Sequence, residues 1–180
     1  MPVVRGKTIK VLYSAEEIAH RNREIAEAIA ANGHEDLLVI SILKGSFVFA
    51  ADLIRALHEC GISPEVEFIS ISSYGQGTTP GKPTILRDVE TPVSGRNVLL
   101  IDDILESGGT LAFTRALMLE RGAKTVSIAV LLDKSSKRRE KLEADHAGFV
   151  CPDKFVVGYG MDVGHAFREL PYVGEVVSGT

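Results

Sequence analysis

The sequence of 180 residues has little of what marks secreted, zinc-binding or membrane proteins. Its 2 cysteines, Cys60 and Cys151, are far apart and lack C-x-x-C spacing, and its 5 histidines are scattered, so we expect neither a disulfide framework nor a zinc site. The longest apolar stretch, Leu37 to Leu57, is interrupted by three charged residues, whereas a membrane span needs about 20 apolar residues. The start of the chain lacks the apolar segment of a signal peptide. We therefore predict a soluble, cytoplasmic protein with no membrane association.

Charge of one sign is not in large excess either. The chain has 20 basic and 24 acidic residues, which gives a formal net charge of −4. Proteins that coat nucleic acid usually carry a basic surplus, so this balance argues against a nucleic-acid partner. An anionic ligand must therefore be bound by a few well-placed groups. Residues 134–141, Lys-Ser-Ser-Lys-Arg-Arg-Glu-Lys, form the main basic cluster, which a solvated loop would explain.

Hydrophobic residues make up 45% of the chain and no repeat or linker divides it, so we predict one domain over residues 1–180. A capping box, Ser14 to Glu17, begins a helix that Asn32-Gly33 ends. The alternation of apolar strands with helices predicts the α/β class, with a mostly parallel sheet flanked by helices. The predicted strands are Leu37–Leu43, Val66–Ile71, Asn97–Ile101 and Val126–Leu132, and the other predicted helices are Ser46–Cys60 and Leu111–Arg121.

One segment fits no regular element. Ser73 to Pro83 contains three glycines and two prolines in eleven residues, which predicts a long irregular loop. Loops of that length in compact domains are commonly lids over a site or flexible connections, and composition alone does not separate the two.

The most informative stretch is Val98 to Thr110, Val-Leu-Leu-Ile-Asp-Asp-Ile-Leu-Glu-Ser-Gly-Gly-Thr. Its first four residues form a buried strand, and Asp102 and Asp103 stand at the carboxyl end, where open α/β sheets bind ligands. The glycines and hydroxyl groups that follow begin a helix, whose amides and dipole suit a phosphate group. Two carboxylates beside a phosphate call for hydroxyl groups or a cation, and a ribose diol with Mg²⁺ would satisfy both. The pattern differs from the G-x-x-x-x-G-K-[ST] nucleotide loop.

These residues carry a resemblance to a known family. Asp102 to Thr110 resembles the phosphoribosyl-diphosphate motif of the hypoxanthine-guanine phosphoribosyltransferases, the purine-salvage branch of the type I phosphoribosyltransferase fold. Further matching segments follow the family's order, at Ile42–Phe47, Ser72–Gly75, Leu131–Lys134, Pro152–Asp162 and Phe167–Pro171. The resemblance implies a sheet core over about residues 35–150, with a small hood subdomain from about residues 1–12 and 151–180.

The resemblance also implies a reaction: transfer of the 5-phosphoribosyl group from 5-phosphoribosyl 1-diphosphate to N9 of hypoxanthine or guanine, giving IMP or GMP and diphosphate. It implies a homodimer or homotetramer, and Mg²⁺ as a cofactor held by Asp102, Asp103 and Asp162. The residues implied to bind phosphoribosyl diphosphate are Lys44, Gly45, Asp102, Asp103, Glu106, Ser107, Gly108, Gly109, Thr110 and Arg168. Those implied to bind the purine are Lys134, Phe155, Val156 and Asp162, and Ser73 and Tyr74 are implied to lie in a mobile loop that closes over the reacting centre.

Particular positions take their roles from the same resemblance. Glu106 stands where the family carries an aspartate that takes the proton from N7 of the purine, and its side chain is one methylene longer. Asp102 differs from the family in the opposite direction, because glutamate is common at its position and aspartate is one methylene shorter. Lys134 would donate to the purine O6 and so select a 6-oxo base over adenine. The Lys44–Gly45 peptide bond is expected to be cis, which would turn amides toward the diphosphate.

Two other classes of protein compete with this interpretation. A regulator on the same fold that binds RNA or DNA would need a basic face, for which residues 134–141 are the candidate. A phosphoacceptor receiver domain also pairs two aspartates at a strand end with a distant lysine. Its acid pair follows the first strand of the sheet, however, whereas here the pair follows the third predicted core strand.

Overall fold

The computed structural model describes residues 1–33, 35–74 and 80–179. In these residues the helices are α1 (Ala15–Ala31), α2 (Phe47–Glu59) and α3 (Gly109–Glu120). The strands are β1 (Val3–Val4), β2 (Lys7–Tyr13), β3 (Leu37–Leu43), β4 (Glu65–Tyr74), β5 (Pro80–Arg87), β6 (Asn97–Leu105), β7 (Thr125–Asp133), β8 (His146–Val150), β9 (Val156–Val157) and β10 (Val173–Gly179). A 3₁₀ turn, Ser135–Lys137, follows β7. Within the described ranges, no helix is both long and apolar enough to span a membrane.

The strands form two sheets. The larger has the order β5-β4-β3-β6-β7-β8, and all its neighbours are parallel except β4 and β5. This confirms the predicted α/β class with a mostly parallel sheet. The smaller sheet has the order β1-β2-β10-β9 and is antiparallel, so it joins strands from the two ends of the chain.

Both faces of the larger sheet are buried, and this explains why its strands are continuous apolar runs. Successive residues of a strand point to opposite faces. In β3, Val39 belongs to a core cluster with Phe49 of α2, whereas Leu38 and Ile40 belong to a cluster with Leu111 of α3. All five side chains are at most 2% exposed. Helices therefore cover the sheet on both sides, as parallel sheets require.

The carboxyl ends of β3, β6 and β7 lie at one edge of the larger sheet. The register pairs Ser41 of β3 with Ile101 of β6, and pairs Ile101 with Ala129 of β7. The turns that follow these three strands are therefore close in space, although they are far apart in sequence. Several of the predicted site residues lie on those turns.

Helix α1 begins as its capping box predicts. The Glu17 amide donates to Ser14 Oγ at 3.2 Å, and the Ser14 amide donates to Glu17 Oε2 at 2.7 Å. The capping residue at the other end is Asn32. The predicted bounds of all three helices agree with the structure to within two residues, because caps and glycines mark helix ends locally.

The strand bounds are less accurate, and two of them affect the site. Strand β6 continues to Leu105, so the predicted strand end at Ile101 is wrong and the two aspartates lie inside the strand. The extension follows from pairing with β7, which continues as far as Leu105 opposite Asp133.

The predicted loop from Ser73 to Pro83 is also partly wrong. Its ends belong to β4 and β5, which pair at Tyr74 and Pro80, while residues 75–79 lie outside the described residues.

The predicted cis bond is misplaced by one residue. The bond between Lys44 and Gly45 is not cis, and the cis bond instead joins Leu43 to Lys44. Strand β3 ends at Leu43 and the turn begins at Lys44, so the change of direction falls between these two residues.

Gly160 provides a test of the backbone packing beside this turn. Its φ is +96°, and a Cβ there would collide with the carbonyl oxygen of Gly45, so alanine brings backbone strain and a steric clash together. Gly61 is the matched control, because its φ is +84° but a Cβ would meet nothing within 4 Å. We expect Gly160→Ala to lower the free energy of unfolding by about 1–3 kcal/mol more than Gly61→Ala does, as measured by urea denaturation. Equal losses would contradict the described contact.

Candidate active site

A cavity of about 590 Å³, here called the edge cavity, opens at the carboxyl edge of the larger sheet. It contains all four residues predicted to bind the purine. Val156 is buried in β9, whereas Phe155 is 61% exposed, which excludes Phe155 from the core and leaves its ring available to a ligand. The lining residues are Asp103, Ile104, Glu106, Lys134, Lys137, Asp153, Lys154, Phe155, Val156, Met161 and Asp162.

A smaller cavity of about 100 Å³, here called the loop cavity, lies where β6 turns into α3. Gly108 precedes the helix in the left-handed conformation, with φ of +88°, and Gly109 is the first helical residue. The amino-terminal end of α3 therefore borders this space, where its dipole favours an anion. The lining residues are Asp102, Ile104, Leu105, Glu106, Ser107, Gly108, Thr110 and Leu111.

Lys134 is the buried cation of the site. Its side chain follows β7 and is 7% exposed. The Nζ group donates to Glu106 Oε1 at 2.9 Å and to the carbonyl oxygen of Lys154 at 3.0 Å. A buried ammonium group is stable only with such partners. These two contacts hold Lys134 against the wall of the edge cavity, directly beside the predicted general base.

Asp102 and Asp103 are adjacent acids within β6. Asp102 Oδ1 accepts from the Asp103 amide at 2.9 Å, and Asp103 Oδ1 accepts from the Ile104 amide at 2.9 Å. Burial raises the pKa of both carboxyl groups, and the Asp103 carboxylate opposes the ionisation of Asp102 as well, so the pKa of Asp102 lies well above its usual value. The pair therefore retains a proton more readily than ordinary carboxyl groups.

Gly45 brings the turn after β3 against this acid pair. A Cβ at Gly45 would collide with the Asp103 carboxylate, so only glycine permits the approach. Lys44, the neighbouring predicted diphosphate contact, is exposed and lines neither the edge cavity nor the loop cavity. The structure thus brings Gly45 into contact with the acid pair but leaves the Lys44 side chain outside both cavities.

Arg168 and Asp162 contact each other, although they are predicted to bind different ligands. Arg168 Nη2 lies 3.0 Å from Asp162 Oδ1, and Arg168 Nη1 donates to the Gly160 carbonyl oxygen at 2.6 Å. The second oxygen of Asp162 accepts from the His165 amide at 2.7 Å. Both side chains are partly buried. These contacts occupy part of the hydrogen-bonding capacity of both side chains.

The donor set suits magnesium held together with a substrate. Among residues 1–33, 35–74 and 80–179, no three acidic, histidine or cysteine side chains are placed to hold a metal ion by themselves. Mg²⁺ in phosphate-handling sites usually takes one or two carboxylates and completes its coordination with water and substrate oxygens. Asp102 and Asp103 offer two adjacent carboxylates of that kind. Asp162 is already engaged by Arg168.

Sequence reasoning missed three charged residues of the edge cavity, which are Lys137, Asp153 and Lys154. Lys137 Nζ lies 3.6 Å from Glu106 Oε1 and 3.5 Å from Asp153 Oδ1. Lys137 ends the 3₁₀ turn that follows Lys134, and residues three apart lie on the same side of such a turn. That spacing within the basic cluster was the available signal. No local pattern marks Asp153.

Arg138 is a further omission, and it supports the turn that carries Glu106. Its Nε donates to the Glu106 carbonyl oxygen at 2.9 Å, its Nη2 to the Leu105 carbonyl oxygen at 3.1 Å, and its Nη1 to the Leu142 carbonyl oxygen at 2.6 Å. It also pairs with Asp133. Nothing in the local sequence separates this partly buried arginine from its neighbour Arg139.

The match to the phosphoribosyl transferase domain extends over residues 9–163. The chain belongs to the phosphoribosyltransferase family. This phosphoribosyltransferase is 40% identical to a hypoxanthine phosphoribosyltransferase of Buchnera aphidicola subsp. Schizaphis graminum, over 94% of this chain and 97% of that protein. It is 41% identical to a hypoxanthine-guanine phosphoribosyltransferase of Bacillus subtilis, over 92% of this chain and 91% of that protein.

Solved structures agree with this assignment. An HPRT in which an invariant aspartic acid is mutated to glutamic acid superimposes with a TM-score of 0.89 at 36% identity, covering 96% of this chain and 97% of that chain. The alanine mutant gives the same TM-score and coverage at 35% identity. These similarities confirm the family and the type I phosphoribosyltransferase fold that the sequence motifs imply.

Asp102→Asn tests the buried acid pair. The pKa of Asp102 in the folded chain lies above the unfolded value of about 3.9. The folded chain therefore binds more protons between these two values, and stability falls as the pH rises through that interval. Because asparagine cannot ionise, we expect the variant to be more stable than the wild type by about 1 kcal/mol at neutral pH, with no gain near pH 3. Urea denaturation across this range measures the difference.

Asp88→Asn is the control, because its effect on stability at neutral pH should have the opposite sign. Arg121 donates to the two Asp88 oxygens at 2.7 and 2.6 Å, and these bonds lower the pKa of Asp88. A carboxyl group with a lowered folded pKa contributes stability above its unfolded pKa and loses it as the pH falls. Asp88→Asn should therefore be less stable than the wild type at neutral pH, with the deficit shrinking below about pH 4. The same direction of change in both variants would refute the assignment for Asp102.

Proposed function

We propose that this phosphoribosyltransferase acts in purine salvage, transferring the 5-phosphoribosyl group of 5-phosphoribosyl 1-diphosphate to N9 of hypoxanthine or guanine. The relatives named for hypoxanthine or hypoxanthine and guanine support this acceptor class. The observation that carries the proposal is the pairing of a buried ammonium group, Lys134, with the Glu106 carboxylate in one cavity. A 6-oxopurine offers an acceptor oxygen and an N7 proton on one edge, which matches this donor and this acceptor.

The proposed reaction is a displacement at C1 of the ribose. The N9 lone pair forms the new bond to C1, and the bond from C1 to the diphosphate oxygen breaks, with its electron pair leaving on diphosphate. The N7 proton of the base passes to Glu106, so charge and protons balance. Lys134 donates to the purine O6, Phe155 stacks on the purine face, and the Val156 carbonyl oxygen accepts from the base edge. Adenine lacks the acceptor oxygen and would leave Lys134 unpaired.

The sugar phosphate would lie across the acid pair and the loop cavity. Asp102 and Asp103 would accept from the ribose 2- and 3-hydroxyl groups. The amides from Glu106 to Thr110, with the Ser107 and Thr110 hydroxyl groups, would bind the 5-phosphate at the amino-terminal end of α3. Lys44, Gly45 and Arg168 would bind the diphosphate. Movement of Arg168 away from Asp162 would expose Asp162 Oδ1, while Oδ2 keeps its bond from the His165 amide.

Magnesium would be bound by Asp102 and Asp103, with Asp162 available once Arg168 has moved. Bound there, Mg²⁺ would neutralise negative charge on the leaving diphosphate. The raised pKa of the pair fits this role, because a cation offsets the cost of ionising both buried carboxyl groups. Asp102 and Asp103 would also orient the sugar hydroxyl groups.

Three further features belong to the proposal. Ser73 and Tyr74 end β4 next to residues 75–79 and would take part in a lid over the reacting centre. The strands β1, β2, β9 and β10 would serve as a hood over the base, within one domain of residues 1–180. The enzyme would act in the cytoplasm as a homodimer or homotetramer.

Initial rates with phosphoribosyl diphosphate and Mg²⁺ test the reaction, with hypoxanthine, guanine, xanthine and adenine offered separately. We expect turnover of hypoxanthine or guanine, dependence on Mg²⁺, and no turnover of adenine. Tight binding of phosphoribosyl diphosphate without turnover of any base would overturn the proposal and favour a regulator that senses this ligand. Nucleic-acid binding at two salt concentrations would then identify that class.

Lys134→Met tests the base contact. The variant loses a charge-assisted hydrogen bond to O6, so we expect kcat/KM for hypoxanthine to fall by about 10- to 100-fold. The KM for phosphoribosyl diphosphate should remain unchanged. Lys141→Met, an exposed lysine of the same basic cluster, is the matched control and should behave as the wild type. A Lys134→Met enzyme with the kinetics of the control would remove Lys134 from the mechanism.

A further inference from the structure

Four charged side chains of alternating sign form a closed ring at the edge cavity. This charge ring consists of Glu106, Lys134, Asp153 and Lys137. Lys134 Nζ lies 2.9 Å from Glu106 Oε1 and 3.8 Å from Asp153 Oδ1. Lys137 Nζ lies 3.6 Å from the same Glu106 oxygen and 3.5 Å from the same Asp153 oxygen. Each carboxylate therefore faces two ammonium groups, and all four residues line one cavity.

The two lysines of the ring differ in burial. Lys134 is 7% exposed and also fixed by the Lys154 carbonyl oxygen, whereas Lys137 is 62% exposed and has its two ring partners as its ion pairs. Lys154 is the third lysine at the cavity, but its ammonium group binds Glu175 Oε2 at 2.5 Å and so points away from the ring. Lys137 is therefore, besides Lys134, the lysine of this cavity whose ammonium group faces Glu106.

The ring resolves a conflict in the proposed reaction. Lys134 binds Glu106 in the structure, yet in the reaction it donates to the purine O6 while Glu106 takes the N7 proton. When Lys134 turns toward the base, the Glu106 carboxylate loses its closest partner. Lys137 Nζ lies 3.6 Å from the same oxygen and can hold the carboxylate in place.

We propose that Lys137 is a positioning residue for the reaction, with Asp153 as its anchor: it holds Glu106 in line with the base when Lys134 binds the base. This inference rests on the proposed function. The longer side chain at position 106 suits the arrangement, because an aspartate would withdraw the carboxylate by about 1.5 Å, the length of one carbon–carbon bond. Glu106 and Lys137 thus act as a pair, because both side chains are long enough to bring their charged groups together.

Single-turnover measurements test the role of Lys137 in the chemical step, using hypoxanthine, phosphoribosyl diphosphate and Mg²⁺. We expect Lys137→Met to lower the rate constant by about three- to fivefold, which is the loss of one partly exposed ion pair. The KM values of both substrates should stay as in the wild type, since positioning acts on the transition state. Lys137→Arg should restore most of the rate. Lys141→Met, outside the ring, should have no effect.

A coupled variant separates positioning of Glu106 from a general loss of charge. In the Glu106→Asp background the shorter carboxylate no longer reaches Lys137, so adding Lys137→Met should change the single-turnover rate by less than about twofold. An undiminished effect in that background would overturn the inference. A Lys137→Met rate equal to that of the wild type, or a raised KM for phosphoribosyl diphosphate, would overturn it as well.

Failure of the inference is distinguishable from failure of the proposed function. If the wild type turns over neither hypoxanthine nor guanine, the proposed function fails and the role of Lys137 fails with it. If the wild type is active and Lys134→Met is impaired while Lys137→Met is not, the function stands and the inference alone is overturned. Urea denaturation of each variant identifies any loss of rate that comes from unfolding.

Discussion

The carboxyl groups of Asp102 and Asp103 lie in β6, between neighbours buried on both faces, where a negative charge is costly. Burial raises the pKa of both groups, and the protein offsets the cost only in part, with one backbone amide for each acid. The rest is left to a ligand that brings hydroxyl groups or a cation. Gly45 approaches the pair closely because it has no side chain. The site is therefore built at some expense to the stability of the free protein.

The other groups of the site are arranged around this pair by the sheet. Parallel strands place their carboxyl ends at one edge, so the turns after β3, β6 and β7 meet there although nearly a hundred residues separate the first from the last. The C-terminal segment adds Phe155, Val156 and Asp162 from the far side of the edge cavity. In the proposed reaction, sugar, phosphate and base would be bound by different segments of the chain, and strand register sets the distances between those segments.

The edge cavity is rigid on one wall and adaptable on the other. Arg138 binds three carbonyl oxygens around the turn that carries Glu106, and Lys134 is buried with two hydrogen bonds. The side chains of Lys137 and Asp153, in contrast, are 62% and 50% exposed, and their charged atoms lie 3.5 Å apart. Exposed ion pairs contribute little to stability. Because such a pair is weak, a ligand can replace one of its partners with little loss of stability.

The sequence alone determines the α/β class, the helix bounds, the acid pair and the glycine turn, because caps, glycines and apolar runs are local signals. The resemblance adds the family and most of the residues of the two cavities. Only the tertiary structure decides where β6 ends, since hydrogen bonds with β7 extend it to Leu105. It also decides that Arg168 pairs with Asp162 and that Lys137 faces Glu106. Such contacts depend on how distant segments pack, and no spacing along the chain encodes those distances.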